Sequence, residues 1–513
     1  MSGWSQGYVT DLGYTTNIYR EFTPAWLAFA ALLLGQRPPD LARPFRMAEL
    51  GCGYGLTLAV AAANAPQATF FGYDFNPAHV EAARLFAQAA GLANLHVEER
   101  AIADLVAPDG AATADLDIIA LHGVWSWVGD TVRDDVVRFI TQRLRPGGLV
   151  FVSYNVLTGF ADMLPVRTLM RQVAAREARS DLAVAAVRPM LDRLRTGAQA
   201  YFAAHPALEQ RLAGLASMDA RYLAHEYLNA DWAPTMFADV AGAMAAARCQ
   251  YVGSATLPDN VDATSAPPAM LPLLAEQRDV TLRETLRDFG CGQSFRRDIY
   301  RRGHAPLPPA EHRALLDAVQ FVALGRHREA EVKVACSIGQ LSGRPEIYDP
   351  LLDRLAAGPL SVAEAREMPV FAGRPFPELL QALLMLTAAG YAHPVAAGAG
   401  APDARAAARR ANAEIARLNR VGGAIPHLVA PASGASVLAD LAETLAVGAL
   451  LAGGARHEQA LATEVDAALA ATGRGPALPG VARHEAALAT VRGLLAGPRA
   501  EALAALGVID PPA

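Results

Sequence analysis

The stretch MAELGCGYGLTLAVAAANAPQATFFGYDFN, from Met47 to Asn76, decides how the chain reads. A short β-rich run, MAEL, meets glycines at Gly51, Gly53 and Gly55. A helical stretch, LTLAVAAANA, follows, and a second β-rich run, TFFGYDF, carries Asp74 near its end. Glycines between a strand and a helix allow a tight turn and let a ligand reach the backbone at the carboxyl edge of a sheet.

Outward from this unit the alternation runs from Phe45 to Asn155. RMAEL predicts a strand, AHVEAARLFAQAAG a helix, LHVEERAI and LDIIALHG strands, DDVVRFITQRL a helix and GLVFVSYN a strand. Strands separated by helices at this spacing pair in parallel through right-handed crossovers, so the fold class is α/β with a Rossmann-like sheet. Gly91 caps one helix, and the proline of RPGG, Arg145 to Gly148, ends another before the glycines turn the chain into a strand. Long Ala/Arg/Leu helices from about Leu164 to Tyr227 read as an insertion. Phe237 to Leu257, a helix then a strand, and Ser294 to Gly303, a strand, complete the sheet afterwards. Ile347 to Val395 has a winged-helix-like layout of helix, turn, helix and short strand. Its few positive charges favour a protein contact or a domain brace over DNA. Ala396 to Ala413 reads as an Ala/Arg-rich linker, and the last hundred residues as mostly helical.

At 513 residues the chain should form about three domains, on the order of 100–200 residues each. Hydrophobic residues make up 52%, which provides ample core. A net charge of −6 argues for no nucleic acid as partner and is compatible with a cationic peptide. Cys52, Cys249, Cys291 and Cys336 lie far apart, so neither a metal site nor a disulfide framework is indicated. The start, MSGWSQGYVTDLGYTTNIYREF, lacks the layout of a signal peptide. AWLAFAALLLG is about half of the ~20 residues a span requires, so no membrane span and a cytoplasmic location are expected. Lys333 is the single lysine. A GC-rich coding bias accounts for that, and avoidance of self-modification by an enzyme acting on lysine is the sharper alternative.

Three ligands suit a glycine-rich turn. A nucleotide triphosphate needs Lys-Ser or Lys-Thr after the glycines, where Leu56-Thr57 stand. A dinucleotide site reads G-x-G-x-x-G, whereas this turn is G-x-G-x-G preceded by Glu49. That carboxylate would repel a pyrophosphate and suits a cationic ammonium or sulfonium. Asp74, closing the second strand, is placed to accept hydrogen bonds from ribose hydroxyls. The combination implies S-adenosylmethionine.

ELGCGYG, GYDFNP, IIALHGVWSWV and RPGGLVFVSYN resemble the class I S-adenosylmethionine-dependent methyltransferases. LHGVWSWV with SYN, YLAHEYLNADWAPTMFADV and FRRDIYRRG resemble the subgroup with a methyltransferase regulatory domain, which includes the rickettsial outer-membrane-protein lysine methyltransferases. The resemblance is specific over about residues 45–155, extends to about 305 and is loose beyond. With the pattern of elements, the expected division is an N-terminal helical flap (1–44), a cofactor-binding core (45–160), a helical insertion (161–235), completion of the sheet (236–305), a winged-helix-like regulatory domain (306–395) and a C-terminal helical domain (396–513). The resemblance also implies that Glu49, Gly51 and Gly53 hold the methionine part of the cofactor and Asp74 the ribose. Phe75 and Asn76 would lie beside ribose and adenine. In many class I enzymes an acid after the third strand bonds the adenine amine. Arg100-Ala101-Ile102 stand there instead, so Ala101 and Ile102 would serve by backbone and packing.

Methyl transfer is an in-line displacement, and a lysine nucleophile, with an ordinary pKa of about 10.4, must first lose its proton. His122 and Gly123 follow the fourth strand, where this class faces the reacting centre, and Trp125, Ser126 and Trp127 could wall a channel for a cation. The competing reading is that the tryptophans anchor a helix to the core. Tyr154 and Asn155 lie at the same edge, and Asn155 could orient an amine. His225 and Glu226 in the insertion could supply a base, or could be structural. Tyr8 and Tyr14, with Tyr19, could form a flap, against an amphipathic docking helix. The leading expectation is methylation of a protein or peptide substrate, plausibly at lysine. The alternatives are a small-molecule substrate, N- or O-methylated in secondary metabolism, and a noncatalytic cofactor-sensing adaptor. A homodimer is left open.

Overall fold

The computed structural model describes residues 3–5, 7–107, 115–215, 217–325, 331–396, 398–453, 457–472 and 480–511. At its centre is a sheet of β1 (Arg46–Leu50), β2 (Thr69–Asp74), β3 (Leu95–Glu99), β4 (Leu116–Leu121), β5 (Leu144–Asn155), β6 (Cys249–Ser254) and β7 (Phe295–Arg302). The strand order is β3-β2-β1-β4-β5-β7-β6. The first five strands are parallel, and β7 runs antiparallel to both β5 and β6. Because β1 pairs with both β2 and β4, the winding direction reverses there, and a crevice opens at the carboxyl ends.

Every residue of β4, LDIIAL, is buried, as a strand covered on both faces requires. The pleat divides β5 between two cores. Leu149 and Phe151 pack with α1 (Pro24–Leu33), α2 (Leu56–Asn64) and α3 (Pro77–Ala89); Val150, Val152 and Tyr154 pack with α5 (Asp130–Arg143) on the other face. Between them, α4 (Ile102–Val106) follows β3. Helices fill most of 157–227, and the last of them, α6 (Ala220–Tyr227), returns over the carboxyl ends of the strands. Two more, α7 (Phe237–Ala246) and α8 (Val280–Cys291), flank β6 and precede β7.

Two expectations need correction. Residues 8–19 are not helical, so helix in the expected flap is confined to short 3-10 turns and α1. Their backbone is tied by side chains from elsewhere: Val9 N–H donates to Asn229 Oδ1 (2.8 Å) and Tyr19 N–H to Thr57 Oγ1 (3.1 Å). The expected linker at 396–413 is largely helix: α9 (Pro402–Arg420) buries Ala404, Ala407, Ala408, Ala411 and Ile415. Alanine is the strongest helix former, and the glycines that suggested a linker, Gly398 and Gly400, stop short of the helix. Arg410 of α9 donates to Ala90 O (2.8 Å), and Asn64 of α2 to Ala435 O (2.8 Å), so the C-terminal region braces the helices behind the glycine turn.

Between β7 and α9, strands Gln320–Ala323, Leu360–Ser361 and Ala392–Pro394 form a small antiparallel sheet flanked by helices. It meets α1 through Phe29 against Phe321. The region after α9 is mostly helical. Among the described residues no helix is long and apolar enough to cross a membrane, and no cluster of three His, Cys, Asp or Glu could hold a metal ion.

Candidate active site

A cavity of about 750 Å³ lies over the carboxyl ends of β1, β2, β4 and β5, roofed by the N-terminal segment and α6. Glu49, Gly51, Gly53, Asp74, Phe75, Ala101, Ile102, His122, Gly123, Trp127, Asn155, His225, Glu226, Tyr8 and Tyr14 all line it. Residues far apart in the chain are thus brought to one surface.

The glycine turn forms the floor. Gly51 and Gly53 have φ of +69° and +54°, a region open to glycine at little cost. A side chain at Gly51 would meet Val124 Cγ2 at 2.5 Å, whereas one at Gly53 would meet nothing within 4 Å and would project into open space. Asp74 ties the turn to β2: Oδ2 accepts Gly53 N–H (2.8 Å) and Oδ1 accepts Asn76 N–H (2.9 Å). His79 Nδ1 also lies 3.4 Å from Oδ1, and the carboxylate keeps lone pairs that can accept hydroxyl donors. Glu49 is buried, and its Oε2 has no hydrogen-bond partner. Burial, aided by the charge of Asp74, holds its carboxyl well above the ordinary range. An orphaned buried carboxylate oxygen is costly, and a ligand cation is what would satisfy it. These residues therefore fit S-adenosylmethionine, whose ammonium, sulfonium and ribose match the unpaired acid, the open floor and Asp74.

On the far side, Glu226 Oε1 accepts Asn155 Nδ2–H at 3.1 Å. Burial raises the Glu226 pKa to about 7, against the opposing effects of Asn155 and Arg211. Both histidines are neutral at physiological pH, because burial takes His122 down to about 3 and His225 to about 4. His122 Nδ1 lies 3.0 Å from Ser153 Oγ, under the Tyr19 ring at 3.9 Å. His225 Nε2 is 2.7 Å from Leu12 O, so it carries the hydrogen and pins the N-terminal segment. Tyr8 and Tyr14 pack on its ring at 5.3 and 4.9 Å.

Four expected site residues face elsewhere. Tyr154 points to the opposite side of β5 from Asn155, where its hydroxyl donates to Asp298 Oδ2 at 2.5 Å. Successive strand residues alternate faces, so only one of the pair can reach the cavity. Trp125 lies in the core beneath the Arg133 guanidinium, since a single 3-10 turn, Trp125–Trp127, sends the two tryptophans to different sides. Ser126 is buried and accepts Asn155 N–H (2.8 Å), which positions Asn155 from behind. The Asn76 side chain caps α3 through Ala78 N–H (3.0 Å). Tyr19, expected with Tyr8 and Tyr14 in the flap, also lines the cavity, whereas Tyr54, Tyr222, Asp231 and Arg297 line it without having been singled out for it by residue pattern. The signal for Arg297 was available: in FRRDIYRRG it shares a face with Phe295.

The methyltransferase domain model matches residues 48–150, and the model described as a predicted methyltransferase regulatory domain matches residues 219–302. Uncharacterized protein sll1526 of Synechocystis is 34% identical over 394 residues, 76% of this chain and 77% of that protein. Uncharacterized protein RP789 of Rickettsia prowazekii is 26% identical over 293 residues, 56% of this chain and 51% of that protein. PKMT2 from Rickettsia typhi in complex with AdoHcy shares the fold, with a TM-score of 0.65 at 18% identity over 88% of this chain and 91% of that one. A second structure of PKMT2 from Rickettsia typhi gives 0.62 at 19% identity, over 84% of this chain and 87% of that one. With Glu49 and Asp74 on the same cavity, the chain belongs to the class I S-adenosylmethionine-dependent methyltransferases that carry a methyltransferase regulatory domain.

Proposed function

We propose that this methyltransferase acts on a protein or peptide amine, with a lysine side chain as acceptor and Glu226 as the base that takes its proton. One observation carries the reading: a buried carboxylate with a pKa near 7, hydrogen-bonded to Asn155 on the cavity wall. A base is most effective when its pKa lies near the working pH, and an unperturbed glutamate would be too weak. Asn155 spends one N–H on Glu226, which leaves its carbonyl oxygen to orient the incoming amine.

S-adenosylmethionine, when bound, supplies an electrophilic methyl group on a sulfonium. Glu49 and the turn at Gly51 and Gly53 would hold its methionine part, Asp74 the ribose, and Phe75, Ala101 and Ile102 the adenine. Tyr8, Tyr14 and Trp127 would wall the acceptor channel, where aromatic faces favour a cation. The resemblance to the rickettsial lysine methyltransferases and the likeness to PKMT2 support the same substrate class.

The test is incubation with labelled methyl donor and a cell-envelope protein extract, followed by mass spectrometry of the labelled polypeptides. N-methyl-lysine is the expected product. Label confined to small molecules would remove the protein-substrate reading and favour a metabolite acceptor.

A further inference from the structure

The acceptor side of the cavity carries a charge that methyl transfer itself does not use. β5 and β7 pair antiparallel, with Asn155 opposite Phe295 and Ser153 opposite Arg297. Tyr154 and Arg296, which alternate with them, point behind the sheet, where Arg296 is bound by Asp288, Asp298, Glu284 and Tyr251. Asn155, Phe295 and Arg297 all line the cavity. Arg297 is therefore the diagonal neighbour of Asn155, about 7–8 Å away between backbones. Glu226 holds Asn155 from α6, and Arg297 stands beside it on β7.

Arg297 is a cation without an anion. Its Nη1 donates to Thr256 Oγ1 at 3.3 Å, its Nε is buried without an acceptor, and no carboxylate pairs with it among the described residues. Asp259, whose carboxyl senses the Arg297 charge, is instead bound by Ser337 Oγ at 2.6 Å. The Phe295 ring lies against the guanidinium at 5.0 Å and fixes it on the side of Asn155.

A lysine ammonium oriented by Asn155 would enter beside this uncompensated charge, and two like charges in an enclosed cavity repel each other. An acceptor that brings its own carboxylate turns the repulsion into attraction, because the guanidinium fork matches a carboxylate. We propose that Arg297 is a specificity residue for the acceptor, binding the carboxylate of an aspartate or glutamate one or two positions from the methylated lysine. An extended chain rises about 3.3 Å per residue, so such a carboxylate comes within reach of a cation on the strand next to the amine site. This assignment rests on the reading above that the acceptor is a polypeptide amine oriented by Asn155.

The test presents the full chain and S-adenosylmethionine with a library of end-blocked peptides, Xaa-Xaa-Lys-Xaa-Xaa, with lysine excluded from the random positions. Mass spectrometry identifies the methylated members. With the wild type, aspartate or glutamate beside the lysine should be enriched about tenfold among the products, the scale of one charge-assisted bond. Arg297→Met should abolish the enrichment by raising the KM of acidic members about tenfold, with neutral members unchanged or improved. Arg297→Glu should invert it in favour of arginine, a result that a merely structural role would not give. Arg297→Lys, which keeps the charge without the fork, should retain a preference of about threefold and carries the test if the other variants do not fold. Affinity for S-adenosylhomocysteine, read by calorimetry, should stay within threefold throughout. Methylation of acidic and neutral peptides alike by the wild type, an acid preference that survives Arg297→Met, or weaker S-adenosylhomocysteine binding with the preference intact would overturn the proposal. A shifted pH–rate profile without a change in preference would do the same, by assigning Arg297 to deprotonation of the acceptor. Methylation of no library member would remove the polypeptide-acceptor reading, and this assignment with it.

Discussion

Two sets of buried charges lie on opposite faces of β5 and β7, and they differ in how fully they are paired. Behind the sheet, Arg296 joins Asp288, Asp298 and Glu284, and Tyr154 closes the set on Asp298. On the cavity side, Glu49, Glu226 and Arg297 are held by one hydrogen bond or none from protein groups. Buried charge is costly in both places. In the first set the protein repays the cost to itself through internal partners; in the second, polar atoms are left for something that enters. Asp288 Oδ2 is unpartnered behind the sheet as well, so the lack of an ionic partner, more than burial or an orphaned atom, marks the cavity side among the described residues.

The largest test of that contrast is Glu226→Gln, which keeps the shape and removes the base. It should lower kcat by about 10²- to 10⁴-fold. The wild-type rate should rise with pH through about 7, as Glu226 loses its proton, and the variant should lack that limb. A retained limb assigns the proton transfer elsewhere.

Arg296→Met should act on stability instead. Removing one member of a buried ionic set leaves the other charges uncompensated and costs about 3–5 kcal/mol, read by denaturant unfolding. Affinity for S-adenosylhomocysteine in the folded fraction should change less than threefold. A larger change would erase the division between the two faces.

Gly53→Ala probes the cavity floor at a left-handed position. About 1–2 kcal/mol of strain is expected in unfolding, together with at least tenfold weaker donor binding, because the new methyl occupies open space above the turn. Loss of stability with full donor affinity would separate the floor from the ligand.

The smallest effect concerns the stability side of Glu226. Its folded pKa of about 7 exceeds the ordinary value of 4.5, so the folded state holds a proton that the unfolded chain releases, and stability falls as pH rises from about 4.5 to 7. Glu226→Gln lacks this loss. Relative to wild type it should gain about 1–3 kcal/mol between pH 5 and pH 8, measured by thermal melts across that range. A constant difference would mean that Glu226 is less buried in solution than its surroundings suggest.

Where the chemistry is local, residue order was enough. The turn at Gly51 and Gly53, Glu49 before it and Asp74 after it lie within one strand-turn-helix-strand unit, and all reach the cavity. The neighbouring pairs were not separable in this way. Asn155 and Tyr154, and Glu226 and His225, stand side by side in the chain, Trp127 and Trp125 are two apart, and within each pair the two members do different things.

The sequence by itself determined the α/β alternation, the methyl-donor class and the edge of the sheet where the cavity opens. Glycine conformation, strand polarity and the spacing of acids are properties of short segments. Only the tertiary structure decided which atoms are left without partners. The pleat selects one of two adjacent residues, the return of α6 sets Glu226 against Asn155, and β7 carries Arg297 to the cavity from a position 248 residues beyond Glu49 (297 − 49). Pairing depends on what the rest of the chain brings near, and that is not contained in any short stretch of it.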